Sequence, residues 1–232
     1  MLVDPITVEV IWHALYAATD EMKTALRMSS YNPIINEMQD FSVALLNEKA
    51  ETVAQAPGIP VFLCDIPSAI HSVAEDIGGI DRFAEGDIYL TNDPFANTLH
   101  VNDVNVIKPV FWEEVLVGFS CARAHWQDMG GASGGGGTNS TDVFQEGLIL
   151  KSIKLYDRGV LNEDVMRIIK ENTRLPESTL GDLRAQRGTC EIGARRMTEI
   201  IAKYGSLAFQ ESIKQIFRNG DQLVLEKLWQ IK

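Results

Sequence analysis

Apolar positions near the start of the chain recur with helical spacing: Ile11, Leu15, Ala18, Met22 and Leu26 step by four, three, four and four, which lines one face of an α-helix. Asp4-Pro5 precedes them, and proline is tolerated in a first helical turn, so an amphipathic helix is predicted to about Arg27. Between Asp40 and Ala56 the period shortens. Phe41, Val43 and Leu45, then Thr52 and Val53, flank the charged Asn47-Glu48-Lys49 turn and predict a β-hairpin. A second helix is expected over 65–77, ending at Gly78-Gly79. Gly86-Asp87 opens a strand through Tyr89 and Leu90, closed by the turn Asn92-Asp93-Pro94. Two β-rich runs, 104–112 and 115–124, are parted only by Glu113-Glu114 and read as an antiparallel hairpin. The glycine-rich run 130–137 suits no regular element; it is a mobile lid, or a loop ordered by something that approaches its backbone closely. A further strand is expected over 148–156. Beyond Asp157-Arg158-Gly159, Cys190, Ala194, Met197, Ile201 and Tyr204 form the apolar stripe of a long helix. A last helix holds Ile213, Ile216 and Phe217, breaks near Asn219-Gly220 and resumes through Leu228. The fold class expected is α+β: an antiparallel sheet with an N-terminal helix and a helical C-terminal portion, divided as 1–160 and 161–232.

Composition narrows the function. The 232 residues are 45% hydrophobic and 23% charged, as in an ordinary globular protein. A net charge of −11 repels phosphate backbones and anionic lipid, so neither nucleic acid nor a membrane is an expected partner. The sequence lacks both a long apolar run and the basic start of a secretory signal, and the expected location is the cytoplasm. Cys64, Cys121 and Cys190 are widely spaced, without a C-x-x-C pair, and are expected as buried thiols.

Of the four histidines, two fall at the two ends of the predicted 104–124 hairpin. Pairing about Glu113-Glu114 sets Asp103 opposite Ala124 and His125 opposite Asn102, so Asp103 and His125 become near neighbours. His100 stands three residues before Asp103, and Asp128 three after His125. Two imidazoles and a carboxylate suit zinc or manganese, with iron(II) a further option, and three protein ligands leave coordination positions open. The alternative is a pair of hydrogen-bonded histidines at a sheet end. Asp128 is a candidate fourth ligand or base, and Asp93 either supports the site or simply makes its turn. His13 and His71 fall inside predicted helices and are expected on helix surfaces or in satisfied core positions. No G-x-x-x-x-G-K loop and no G-x-S-x-G elbow occurs, which leaves metal-assisted chemistry.

Several segments together, in their order and spacing, resemble the hydantoinase B / 5-oxoprolinase family: Asn36-Glu37-Met38-Gln39-Asp40-Phe41-Ser42, Val53-Ala54-Gln55, 86–95, His100-x-x-Asp103, Arg123-Ala124-His125-x-x-Asp128-x-Gly130-Gly131 and Phe144-Gln145-Glu146-Gly147-Leu148. The resemblance implies His100, Asp103 and His125 as metal ligands, and a hydantoinase A-type ATPase subunit as the partner that uses ATP. It implies ring opening of a hydantoin, 5-oxoproline or lactam, with an ATP-dependent ketone carboxylase or a non-catalytic assembly subunit as alternatives. In the family a glycine pair and a threonine precede the first metal histidine, where this chain has Asn97-Thr98-Leu99. Family members also continue past residue 232, so a split subunit, a fragment or a shortened relative is implied, with a C-terminal partner chain completing the domain.

Overall fold

The computed structural model describes residues 3–62, 65–96, 98–134 and 139–230; Cys64, Asn97 and Gly135-Gly136-Gly137 lie outside them. Helix α1 (Pro5–Ser29) starts at the Asp4 cap, whose carboxylate accepts from the Thr7 amide at 3.0 Å. Its buried stripe is the one expected, Ile11 through Leu26, with Val8 added one turn earlier. A four-residue helix that the pattern did not show, α2 (Pro33–Asn36), leads into the first hairpin, β1 (Phe41–Asn47) and β2 (Thr52–Pro57). Next come α3 (Ile66–Ile77), capped by Gly78 in the left-handed region, and β3 (Ile88–Thr91). The long hairpin is β4 (Asp103–Trp112) and β5 (Val115–His125). Then follow β6 (Ile153–Asp157), β7 (Val160–Leu161), α4 (Glu163–Glu171), α5 (Pro176–Tyr204) and α6 (Ser206–Gln230). The expected 148–156 strand is shorter and shifted, because 148–150 turn aside to meet Met129 and Asn92.

The strands form one antiparallel sheet in the order β2-β1-β5-β4-β3-β6-β7, so the protein is α+β, with helices at both ends of the sequence. Alternation along each strand divides the sheet into two faces. Phe41, Val43 and Leu45 of β1, Val104 and Val106 of β4, and Ala122 and Ala124 of β5 point into the larger core with α1 and α5. Ala44, Leu46, Ile107, Phe119 and Cys121 point the other way, against Ile66, Ala69, Ile70 and Val73 of α3. Each fully buried aliphatic side chain contributes about 1.5–3 kcal/mol, so both faces are held by burial. Helix α5 is tied in further by Gln186, whose amide donates to the carbonyls of Val104 (2.9 Å) and Ala122 (3.0 Å) and accepts from the Trp126 indole at 2.6 Å.

Two expectations need correction. The last helix does not break at Asn219-Gly220: α6 runs unbroken through both, since that stretch is exposed and nothing there competes with helical hydrogen bonding. The register of the long hairpin follows the predicted pairing only beside the turn, where Trp112 faces Val115 and Phe111 faces Leu116. A bulge after Val110 then shifts it, so that Val110 faces Gly118 and Asp103 faces His125. Among the described residues no helix is long and apolar enough to cross a membrane. Cys121 and Cys190 are buried free thiols, as expected.

Candidate metal centre

Residues 100–103 form a turn that closes on itself: the His100 amide donates to Asp103 Oδ2 at 3.0 Å, and the Asp103 amide donates to the His100 carbonyl at 3.1 Å. This is why the H-x-x-D spacing brings the two side chains together. Asn102 fastens the turn to the end of β5, donating through its side chain to the Trp126 carbonyl (2.7 Å) and accepting the Trp126 amide on its own carbonyl (2.8 Å). Asp103 is then the first residue of β4, directly opposite His125. His125 Nδ1 lies 2.8 Å from Asp103 Oδ1, and His100 Nδ1 lies 3.4 Å from Oδ2. The two imidazole rings meet edge to face, with centroids 5.6 Å apart. Asp103 is buried, His125 half-buried and His100 exposed, so the cluster opens to solvent on the His100 side.

One potential donor atom from each of His100, Asp103 and His125 lies within 4.8 Å of the others. That spacing suits neutral imidazole and carboxylate donors around a small divalent ion. Asp128, expected as a fourth ligand or base, does not join them. One of its carboxylate oxygens accepts from the Gly130 amide (3.1 Å) and Arg174 Nη1 (2.7 Å), and the other from Thr173 and the Arg174 amide. Burial would raise the Asp128 carboxyl, but these donors and the Arg174 charge hold it below the usual carboxylate range. Asp93 accepts the Phe95 amide at 2.9 Å, which is its turn role. His13 and His71 are exposed on helices.

Three residues that sequence reasoning overlooked surround the trio. Asp40, just before β1, accepts the His125 amide on its carbonyl at 3.1 Å. Its Oδ1 is buried without a hydrogen-bond partner among the described residues. Burial pushes the Asp40 carboxyl above its ordinary range, against the pull of His125. Arg123, wholly buried two residues before His125 on the same face of β5, reaches Asp103 Oδ2 at 3.0 Å and also pairs with Asp65 at the start of α3. Burial lowers its guanidinium to about 10. Asn32 secures the far side, donating to the His125 carbonyl at 3.0 Å.

The glycine run begins as an ordered segment. Gly130 bridges Gly147, the Ala132 amide donates to the Gln145 carbonyl at 2.7 Å, and the Leu148 amide to Met129 at 2.7 Å. A Cβ on Gly131 would lie 2.5 Å from the Glu146 carbonyl oxygen, and one on Gly130 would lie 2.0 Å from that of Asn172. Of the two explanations offered by the sequence, close backbone approach holds for the first two glycines.

The profile of a family described as hydantoinase B/oxoprolinase matches residues 4–232. The caprolactamase subunit beta of Pseudomonas jessenii is 35% identical over 204 residues, which is 88% of this chain and 35% of that protein. The crystal structure of the ATP-dependent caprolactamase from the same organism superimposes with a TM-score of 0.87 at 33% identity, covering 92% of this chain and 37% of that one. Nucleotide-free acetone carboxylase superimposes with a TM-score of 0.85 at 19% identity, covering 92% of this chain and 28% of that one, a likeness of fold alone. The chain thus spans about two-fifths or less of the length of these relatives.

Proposed function

Because this chain belongs to the hydantoinase B/oxoprolinase family, we propose that it carries the metal centre of an ATP-dependent enzyme that opens a cyclic amide: a hydantoin, 5-oxoproline or a lactam. The observation that carries this reading is the convergence of His100, Asp103 and His125 at the open end of the β4–β5 hairpin, in a chain similar to an ATP-dependent caprolactamase. The likeness to acetone carboxylase extends to fold only, so ketone carboxylation is not adopted.

In this reading His100 and His125 present neutral imidazole nitrogens, Asp103 presents one carboxylate oxygen, and the metal is zinc or manganese, with iron(II) chemically compatible. A divalent ion held there supplies Lewis acidity, which polarises a carbonyl and acidifies water. In this reading Asp40, whose Oδ1 is buried without a hydrogen-bond partner among the described residues, takes a proton or serves as a further donor to the ion. Asp128 braces the Gly130-Gly131 loop through Arg174. The exposed side of His100 is the face by which a small-molecule substrate enters.

ATP chemistry belongs to a partner. The sequence holds no phosphate-binding loop pattern, and an amide resists hydrolysis enough that prior activation, by phosphorylation of its oxygen, is the physical reason for coupling to ATP. A hydantoinase A-type ATPase subunit and the further length that the relatives possess complete the enzyme. The test is to assay the metal-loaded 232-residue chain with ATP and a panel of hydantoins, oxoproline and lactams, alone and with those partners. Ring opening is expected only in the complete mixture, with stoichiometric metal in the purified complex. ATP-dependent ring opening by the chain alone, or a metal-free active complex, would overturn the proposal.

A further inference from the structure

We infer that Arg123 is a positioning residue that holds Asp103 as a one-oxygen donor, and that Asp65 at the start of α3 holds Arg123 to that task. The inference rests on the metal-centre reading above and adds to it a determinant of coordination number.

The Asp103 carboxylate is unevenly used. Oδ2 accepts two N–H donors, the His100 amide and Arg123 Nη2, both at 3.0 Å. Among the described residues Oδ1 faces only His125 Nδ1, at 2.8 Å. Two hydrogen bonds engage the in-plane lone pairs of Oδ2, which leaves Oδ1 as the oxygen available to an ion. Chelation through both oxygens would require Arg123 to withdraw, and the structure holds Arg123 on three sides. Its other terminal nitrogen, Nη1, pairs with Asp65 Oδ2. Its guanidinium carbon stacks 4.3 Å from the centroid of the Phe62 ring. Its strand position, between Ser42 of β1 and Asn105 of β4, is fixed by register.

Asp65 supplies an independent sign. It is the N-cap residue of α3, yet its side chain makes no capping hydrogen bond. Aspartate at an N-cap ordinarily accepts an amide of the first turn and stabilises its helix. Here the carboxylate turns away from the helix amides toward a buried guanidinium, so a local rule is broken beside the metal centre, where such departures are expected to serve function. The planar fork of arginine can bridge two carboxylates on opposite sides, which a lysine ammonium cannot reproduce.

Cobalt(II) titration of the full chain, followed by visible d–d absorption, tests this in wild type, Arg123→Lys, Arg123→Gln and Asp65→Asn, with thermal unfolding of the metal-free proteins as a check on folding. Both Arg123 variants are expected to bind cobalt about 10–100-fold more weakly, with weaker d–d bands as Asp103 turns to chelate and the coordination number rises. Asp65→Asn, which keeps the side-chain shape, is expected to move both readouts the same way by a smaller factor. If Arg123→Gln does not fold, Asp65→Asn and Arg123→Lys decide. Folded variants with wild-type affinity and spectrum would show that Arg123 is only a buried ion pair and overturn the inference while leaving the metal centre intact. A wild-type chain that takes up no cobalt would overturn the metal-centre reading, and this inference with it.

Discussion

Asp103 and His125 face each other across β4 and β5 because the bulge after Val110 moves the register by one residue. Without it Asp103 would face Ala124, and His125 would lie on the opposite face of the sheet from Asp103. The extra residue of the bulge is Val117, and beside it stands Gly118, where a Cβ would sit 2.2 Å from the Leu46 carbonyl oxygen. Gly118→Ala is therefore expected to destabilise the fold by about 1–3 kcal/mol, the cost of overpacking. Among molecules that remain folded, metal uptake should fall as the strand adjusts. Thermal unfolding and metal titration of the variant measure the two effects separately.

His125→Ala removes one donor from a half-buried position and leaves the sheet hydrogen bonds of β5 intact. Metal content after purification and dialysis should fall sharply, with unfolding free energy reduced by about 1–3 kcal/mol because the buried Asp103 Oδ1 loses its 2.8 Å partner. Undiminished stoichiometric metal would remove His125 from the ligand set.

Asp128 predicts an acid limb of stability. Its folded pKa is lowered, so the group contributes stability above the unfolded carboxylate value of about 4, and that contribution is lost as pH falls through the folded value. Arg174→Gln removes the Nη contacts to Asp128 and Gly131 while the Arg174 amide remains. Since Arg174 is about half exposed, the loss at neutral pH should be only about 1 kcal/mol. Unfolding midpoints from pH 7 to pH 3 should show a shallower acid limb in the variant than in wild type.

In the glycine run, the amides of Gly130 and Ala132 have definite acceptors, Asp128 Oδ1 and the Gln145 carbonyl. Hydrogen exchange should find both protected without any ligand, and Gly131→Ala should raise exchange at Ala132 by displacing the Glu146 backbone. Exchange at Gly130 and Ala132 as fast as in an unfolded peptide would contradict the bracing role given to Asp128.

Periodicity alone located the elements whose signals are local: the stripe of α1, the two hairpins, the glycine cap of α3 and the Cys190 to Ile201 face of α5. The hairpin also brought His100, Asp103 and His125 to one end of the sheet, but the predicted register left the Asp103 and His125 side chains on opposite faces, and only the bulge turns them together. What stayed hidden depends on pairings between distant segments. Asp40 reaches the trio only because β1 lies beside β5 in the sheet, an adjacency that no turn between them announces. Asp65 reaches Arg123 from the other layer of the molecule. The alternation Arg123, His125 on one strand face was visible in the sequence, yet nothing local distinguishes a buried guanidinium from an exposed one. Asp128 misled for the opposite reason, since its spacing from His125 is suggestive while its partner, Arg174, lies far along the chain.

From Arg218 to Gln230 every residue of α6 is exposed, including Leu223, Val224, Leu225, Leu228 and Trp229. Such an apolar tract on a chain of net charge −11 sets two colloidal forces against each other. Mutual repulsion keeps molecules apart in dilute buffer, and at about 1 M salt the screening length shrinks from about 10 Å to about 3 Å. Solutions of the isolated chain should then become sticky as ionic strength rises, with light scattering increasing where most acidic proteins merely lose repulsion. Metal affinities are best compared between variants at low ionic strength and matched protein concentration.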